Sequence, residues 1–276
     1  MELNVALAFL LTIGAGLATG IGSVLAFFTK HTNKKLLSFS LGLSAGVMIY
    51  VAFVELLFSA IETLGKQFSE QSAQLYATLA FFGGIVLAAL IDKMVPSAEN
   101  PHEIRGVECM EGMDTEDCAQ VESASEKNLA RIGIFTALTL AIHNFPEGIA
   151  TFVATLQDTQ VGVAIAIAVA IHNIPEGIAV AIPIYFATRN KKKAFWLSFS
   201  SGLAEPLGAL VAYFVLMPYL SPLLMAVLFA AVAGIMVYIS FDELLPAARE
   251  YGQHHISIYG LLIGMAVMAA TLIMTA

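Results

Sequence analysis

The 276-residue chain predicts an all-α, polytopic membrane protein with eight transmembrane helices, on three observations. The sequence is 58% hydrophobic and only 12% charged, with a mean hydropathy of +0.81. An average soluble domain is about 45–50% apolar and about 25% charged, so this chain could not solvate a globular surface. Apolar runs also recur at the roughly 20 residues needed to cross a bilayer core about 30 Å thick. Finally, the basic residues fall almost entirely in alternate loops. This composition excludes an ordinary soluble enzyme and a disordered chain. A net charge of -8 opposes nucleic-acid binding.

Taken in order, the apolar spans fall near 3–28, 36–60, 73–93, 130–156, 161–187, 194–216, 222–246 and 254–275. The opening MELNVALAFLLTIG lacks a basic n-region and a small-residue cleavage site, so it reads as a first transmembrane helix and not a cleaved signal. Short connections follow most spans: KHTNKK, the turn from Gln157 to Gln160, RNKKK, and Met217-Pro218 leading to Ser221-Pro222. The whole of 1–276 reads as a single transmembrane domain. The one long connection, residues 94–129, carries nine acidic side chains, two basic ones, His102, Cys109 and Cys118. That composition reads as a solvated, mobile segment. The two cysteines do not form the closely spaced pairs of a structural zinc site.

Twelve of the thirteen Lys and Arg residues lie in or beside the odd-numbered loops, and Lys66 alone lies in an even one. The positive-inside rule therefore places the odd loops, the acidic one included, in the cytoplasm and both termini outside.

The chain also repeats itself. GLAEPLGA from Gly202 matches GLATGIGS from Gly16, and GIMVYISFDELL from Gly234 matches GVMIYVAFVELL from Gly46. Spans one to three thus pair with spans six to eight in the opposite orientation, an inverted repeat of the kind found in secondary transporters. A third repeat sets His143-Asn-Phe-Pro-Glu-Gly in span four against His172-Asn-Ile-Pro-Glu-Gly in span five. These two spans run antiparallel, so the motifs face each other at similar depth.

Each motif sets His, Asn and Glu into an apolar helix, where ionisable groups are costly and normally face a cavity or a partner. At about 100° per residue, Glu147 sits about 40° from His143 and about 60° from Asn144. One carboxylate is then able to serve two neighbouring ions, and the same holds for His172, Asn173 and Glu176. Pro146 and Pro175 each remove a donor to the carbonyl four residues back, and the glycine that follows each Glu permits close helix approach. Glu205, followed by Pro206, adds a carboxylate to span six. No Lys or Arg lies deep in any span, so Glu55, Glu147, Glu176 and Glu205 need protons or metal cations to be tolerated. Imidazole with carboxylate oxygen suits Zn²⁺, Fe²⁺, Mn²⁺ or Co²⁺ better than Mg²⁺ or Ca²⁺. Met48 in span two offers a soft thioether, although packing is the commoner role of methionine in an apolar helix. Glu55, Asp242 and Glu243 lie towards span ends, where they suit a wet pathway wall or gate as well as a ligand. His254 and His255 open span eight.

The paired HNFPEG and HNIPEG motifs in an eight-span chain resemble those of the ZIP (Zrt/Irt-like) family of divalent-metal transporters, its bacterial members above all. The resemblance covers essentially the whole chain. It implies a binuclear metal centre between spans four and five, with His143, Glu147 and Glu176 holding one ion together with His172 and Met48. Asn144, Asn173 and Glu205, with the bridging glutamates, would hold the other. It further implies uptake of Zn²⁺, and of Fe²⁺, Mn²⁺, Co²⁺ and Cd²⁺, across the bacterial inner membrane into the cytoplasm. The resemblance also implies an elevator-like motion of spans one, four, five and six as a unit against the rest. Asn173 stands where some members carry aspartate, which implies a second site with one charge fewer, weaker or regulatory. The acidic loop lacks the histidine-rich run of many members. The expected partners are divalent cations and the lipid bilayer, with a homodimer one oligomeric possibility; neither a prosthetic group nor catalysis is expected. Two alternatives stay open from sequence: an intramembrane zinc hydrolase, against which the absence of HExxH counts, and a passive gated metal channel.

Overall fold

The computed structural model describes residues 2–27, 34–94, 141, 144–188, 190–250 and 254–275. His143, His102, both cysteines and the acidic segment beyond Met94 lie outside the described residues. Every regular element among the described residues is helical, without a strand. In chain order they are α1 (Glu2–Leu25), α2 (Lys34–Val51, continued by Ala52–Leu57 and Phe58–Gly65), α3 (Glu70–Met94) and α4 (residues 144–157). They continue as α5 (Thr159–Thr188) and α6 (Lys191–Gly202 with Ala204–Val211 and Ala212–Leu216). The last two are α7 (Pro222–Ile239, then Ser240–Leu244 and Leu245–Glu250) and α8 (His254–Thr275). Among the described residues, seven helices are long and apolar enough to cross a membrane: all of these but α4, much of whose expected span lies outside the described residues.

The connections behave as their residues dictate. Asp158 separates α4 from α5, and its Oδ1 accepts from the Gln160 amide at 2.8 Å, capping α5. Asn190 caps α6 by accepting from the Lys193 amide at 3.1 Å. Ser221 caps α7, accepting from Leu224 at 3.2 Å, with Pro222 at the first helical position, where its missing N–H costs nothing. The second span runs on to Gly65, beyond its expected limit near residue 60, and the exposed Glu62–Lys66 pair at 3.0 Å bridges that last turn.

The helices pack in two groups. One contains α1, α5 and α6, which pack on one another; Phe152 ties α4 to it through Phe9 of α1 (4.8 Å between centroids) and Tyr213 of α6 (6.3 Å). The other contains α2, α3, α7 and α8, built on contacts of α2 with α8 and of α3 with α7. The groups meet where α5 lies against α2 and α8.

Small residues govern the close approaches. A Cβ at Gly46 of α2 would fall on the Leu261 carbonyl of α8, and one at Gly234 of α7 on the Phe81 carbonyl of α3. Likewise a Cβ at Gly22 of α1 would meet the Ile174 carbonyl of α5, and one at Gly208 of α6 the Phe145 carbonyl of α4. Such backbone-to-backbone contact replaces the missing hydrophobic drive between helices in lipid. Two π-helical turns interrupt α2 at Ala52–Leu57 and α7 at Ser240–Leu244, at matching places in the repeated segments, and they carry Glu55, Asp242 and Glu243. π turns inside α-helices often mark functional sites.

Candidate functional site

The HNIPEG segment lies in the middle of α5, which runs unbroken through Pro175. The four-residue spacing puts His172 and Glu176 on one face, and His172 Nε2 lies 3.5 Å from Glu176 Oε2. The same nitrogen lies 3.9 Å from Glu147 Oε1 of α4. All three side chains are buried. A tetrahedral zinc with bonds of about 2.0–2.1 Å sets its ligand atoms roughly 3.3 Å apart, so both separations are near those of shared ligands.

Beside this trio, Asn173 donates through Nδ2 to Glu205 Oε1 of α6, and to the Ala15 carbonyl of α1 at 2.9 Å. Asn144 and Glu205 are completely buried. The Asn144 amide approaches the Glu176 carboxylate outside hydrogen-bond geometry. Both carboxylate oxygens of Glu147 and of Glu176, one of Glu205, and both amide atoms of Asn144 are buried without a hydrogen-bond partner. Buried polar atoms left in that condition cost about 1–3 kcal/mol each, and more when charged. Protons or a metal cation would satisfy such a set.

Glycines bring these groups within reach of one another. A Cβ at Gly148, next to Glu147, would fall on the Glu205 carbonyl; one at Gly177, next to Glu176, would fall on the Thr19 carbonyl. Pro206 cannot donate to the Gly202 carbonyl, the α6 helix breaks at Leu203, and that carbonyl meets Gly16. The break falls two residues before Glu205.

The chain matches the family model described as ZIP zinc transporter over residues 2–272. The chain belongs to the ZIP family. It is a family of transporters, not of enzymes. Among similar ZIP proteins, the zinc transporter ZupT of Oceanobacillus iheyensis is 56% identical over 273 residues, covering 99% of each chain. The zinc transporter ZupT of Streptococcus mutans is 55% identical over 267 residues, 97% of each. That of Chlorobium phaeovibrioides is 57% identical over 269 residues, 98% of each.

In this ZIP chain, six residues expected from sequence come together: Asn144, Glu147, His172, Asn173, Glu176 and Glu205. Met48 is buried on α2, one turn from Ser44, which bonds His172. His143 lies outside the described residues, and among those described no group of three or more His, Cys, Asp and Glu is drawn together tightly enough to enclose an ion. Glu55 and Glu243 are half-buried and Asp242 exposed, each in a π turn, and Glu243 stands within electrostatic reach of Glu176. His255 is exposed and stacks on Tyr259 at 6.4 Å. Sequence reasoning missed Ser44 and the Ala15 carbonyl. The four-residue step from Ser44 to Met48 was the available signal for the first; none existed for the second.

Proposed function

We propose that the protein carries divalent metal cations, zinc foremost with iron, manganese, cobalt and cadmium as further substrates, across the cell membrane into the cytoplasm. The ions pass through a binuclear site between α4 and α5. The observation that carries this reading is the set of three buried carboxylates around His172 and Asn173, five of whose six oxygens lack hydrogen-bond partners. The relatives named as zinc transporters support zinc as the cargo. His143, Glu147, Glu176, His172 and Met48 hold one ion; Asn144, Asn173 and Glu205 hold the other, with Glu147 and Glu176 bridging. Asn173 already spends its Nδ2 on Glu205 and Ala15, which leaves its Oδ1 as the donor.

In this reading the chain is one domain of eight spans, α4 with the segment before it being the fourth. Both termini face outside, and the acidic segment 94–129 faces the cytoplasm. Spans one to three and six to eight form an inverted repeat about α4 and α5. The matched glycine contacts support that symmetry. Gly148 meets Glu205 as Gly177 meets Thr19, and Gly208 meets Phe145 as Gly22 meets Ile174. Each of these partners is the other's repeat equivalent. The two packing groups supply the moving and fixed parts, spans one, four, five and six against the rest. Each chain holds its own pathway, so a homodimer would carry two.

Uptake into proteoliposomes tests the proposal, with Zn²⁺, Fe²⁺, Mn²⁺, Co²⁺ and Cd²⁺ offered separately. Saturable zinc uptake that other divalent ions compete for is expected. Uptake no faster than in empty liposomes would overturn it, and flux rising linearly with concentration would favour the channel alternative.

A further inference from the structure

We propose that Ser44 is a positioning residue for the metal site, holding the His172 imidazole so that Nε2 faces Glu147 and Glu176; this rests on the metal-site reading above. The Ser44 hydroxyl is hydrogen-bonded to His172 Nδ1, and both side chains are buried, at 0% and 2% exposed. The two residues stand on different helices, α2 and α5, from different packing groups. The other bonds between helices described here stay within one group. Asn173 reaches α1 and α6, Ser198 of α6 bonds Gly177 of α5, Ser23 of α1 bonds Ser198, and Ser38 of α2 bonds Ala248 of α7.

The chemistry of imidazole gives that bond its consequence. A histidine that ligates a metal through one nitrogen almost always donates its other ring N–H, which fixes the ring orientation and raises its basicity. With Nδ1–H donating to Ser44 Oγ, Nε2 keeps its lone pair on the side where Glu176 Oε2 and Glu147 Oε1 stand at 3.5 and 3.9 Å. Alanine at 44 would remove that partner of Nδ1 and, with it, the α2 contact that fixes the ring about its side-chain torsions. Because the acceptor belongs to α2, His172 is presented for ligation only while α5 is docked on α2. Met48 lies one turn from Ser44, so the same stretch of α2 supplies both the partner of the His172 ring and the thioether.

The test measures zinc binding to detergent-purified full-length protein by competition with a chelating dye, alongside the melting temperature of the metal-free protein. Wild type, Ser44→Ala, Ser44→Thr, His172→Ala and the double variant Ser44→Ala/His172→Ala are compared. Loss of a second-shell partner typically weakens metal binding about 10–100-fold, and a drop in that range is expected for Ser44→Ala. Ser44→Thr, which keeps the hydroxyl, should restore affinity. In the His172→Ala background the serine substitution should cost nothing further, whereas a merely structural serine would cost the same in both backgrounds. Wild-type affinity in Ser44→Ala, with His172→Ala impaired, would overturn the inference and leave the metal site standing. Wild-type affinity in His172→Ala would overturn both.

Discussion

Glu176 stands one helical turn beyond His172 on α5, with its Oε2 3.5 Å from His172 Nε2. Glu147 reaches the same nitrogen from α4 at 3.9 Å. The two carboxylates therefore flank one imidazole from different helices, and each carries buried oxygens with no hydrogen-bond partner. Glu147→Ala and Glu176→Ala should each abolish zinc uptake at equal incorporation into proteoliposomes, because in the proposed two-ion site only these two bridge both ions. Asn173→Ala should weaken uptake without abolishing it. Transport at the wild-type rate in either glutamate variant would contradict the two-ion site.

The glycine after each of those glutamates gives a second prediction. A Cβ at Gly148 or Gly177 has backbone in its way, while Gly83 of α3 has nothing within 4 Å. Overpacking costs about 1–3 kcal/mol, so Gly148→Ala and Gly177→Ala should lower the melting temperature by similar amounts and reduce uptake. Gly83→Ala should leave both unchanged. A harmless Gly177→Ala would mean that α1 and α5 are not held at the spacing described.

Half of the site was legible in the sequence because half of it is local. The four-residue step from His172 to Glu176 is fixed by helix geometry alone, and the glycine after each Glu announced a close approach. Spacing alone did not pair Asn173 with Glu205, which only the family resemblance set at one ion, since their contact depends on where α6 breaks at Leu203 and how it seats on α5. Ser44 sits in the run GLSAGVM, where small residues look like packing and only the four-residue step to Met48 sets one hydroxyl apart. The all-helical fold followed from composition. The π turns that carry Glu55 and Glu243 did not, because one inserted residue per turn leaves no trace in hydropathy.

Metal ligands must be deprotonated, so zinc binding should release protons and weaken as the pH falls. The sign follows from competition, since each proton taken up by a ligand must leave before the ion binds. Calorimetry in two buffers of different ionisation enthalpy should give different apparent binding heats. Equal heats would count against histidine and glutamic acid as ligands.

The acidic segment should tune uptake and not be required for it. Its nine carboxylates raise the local cation concentration by a long-range, screenable field. A neutral Gly/Ser linker of equal length should leave more than about half of wild-type uptake at low ionic strength, with a smaller deficit in high salt. Complete loss in a correctly inserted variant would make the segment a structural or gating element.

Equilibrium zinc stoichiometry tests the binuclear site most directly, read by calorimetry on the purified full-length protein. Two zinc ions per chain are expected for wild type, and loss of tight binding at both sites in Glu147→Ala and in Glu176→Ala. A single ion per wild-type chain, or unchanged binding in either glutamate variant, would contradict it.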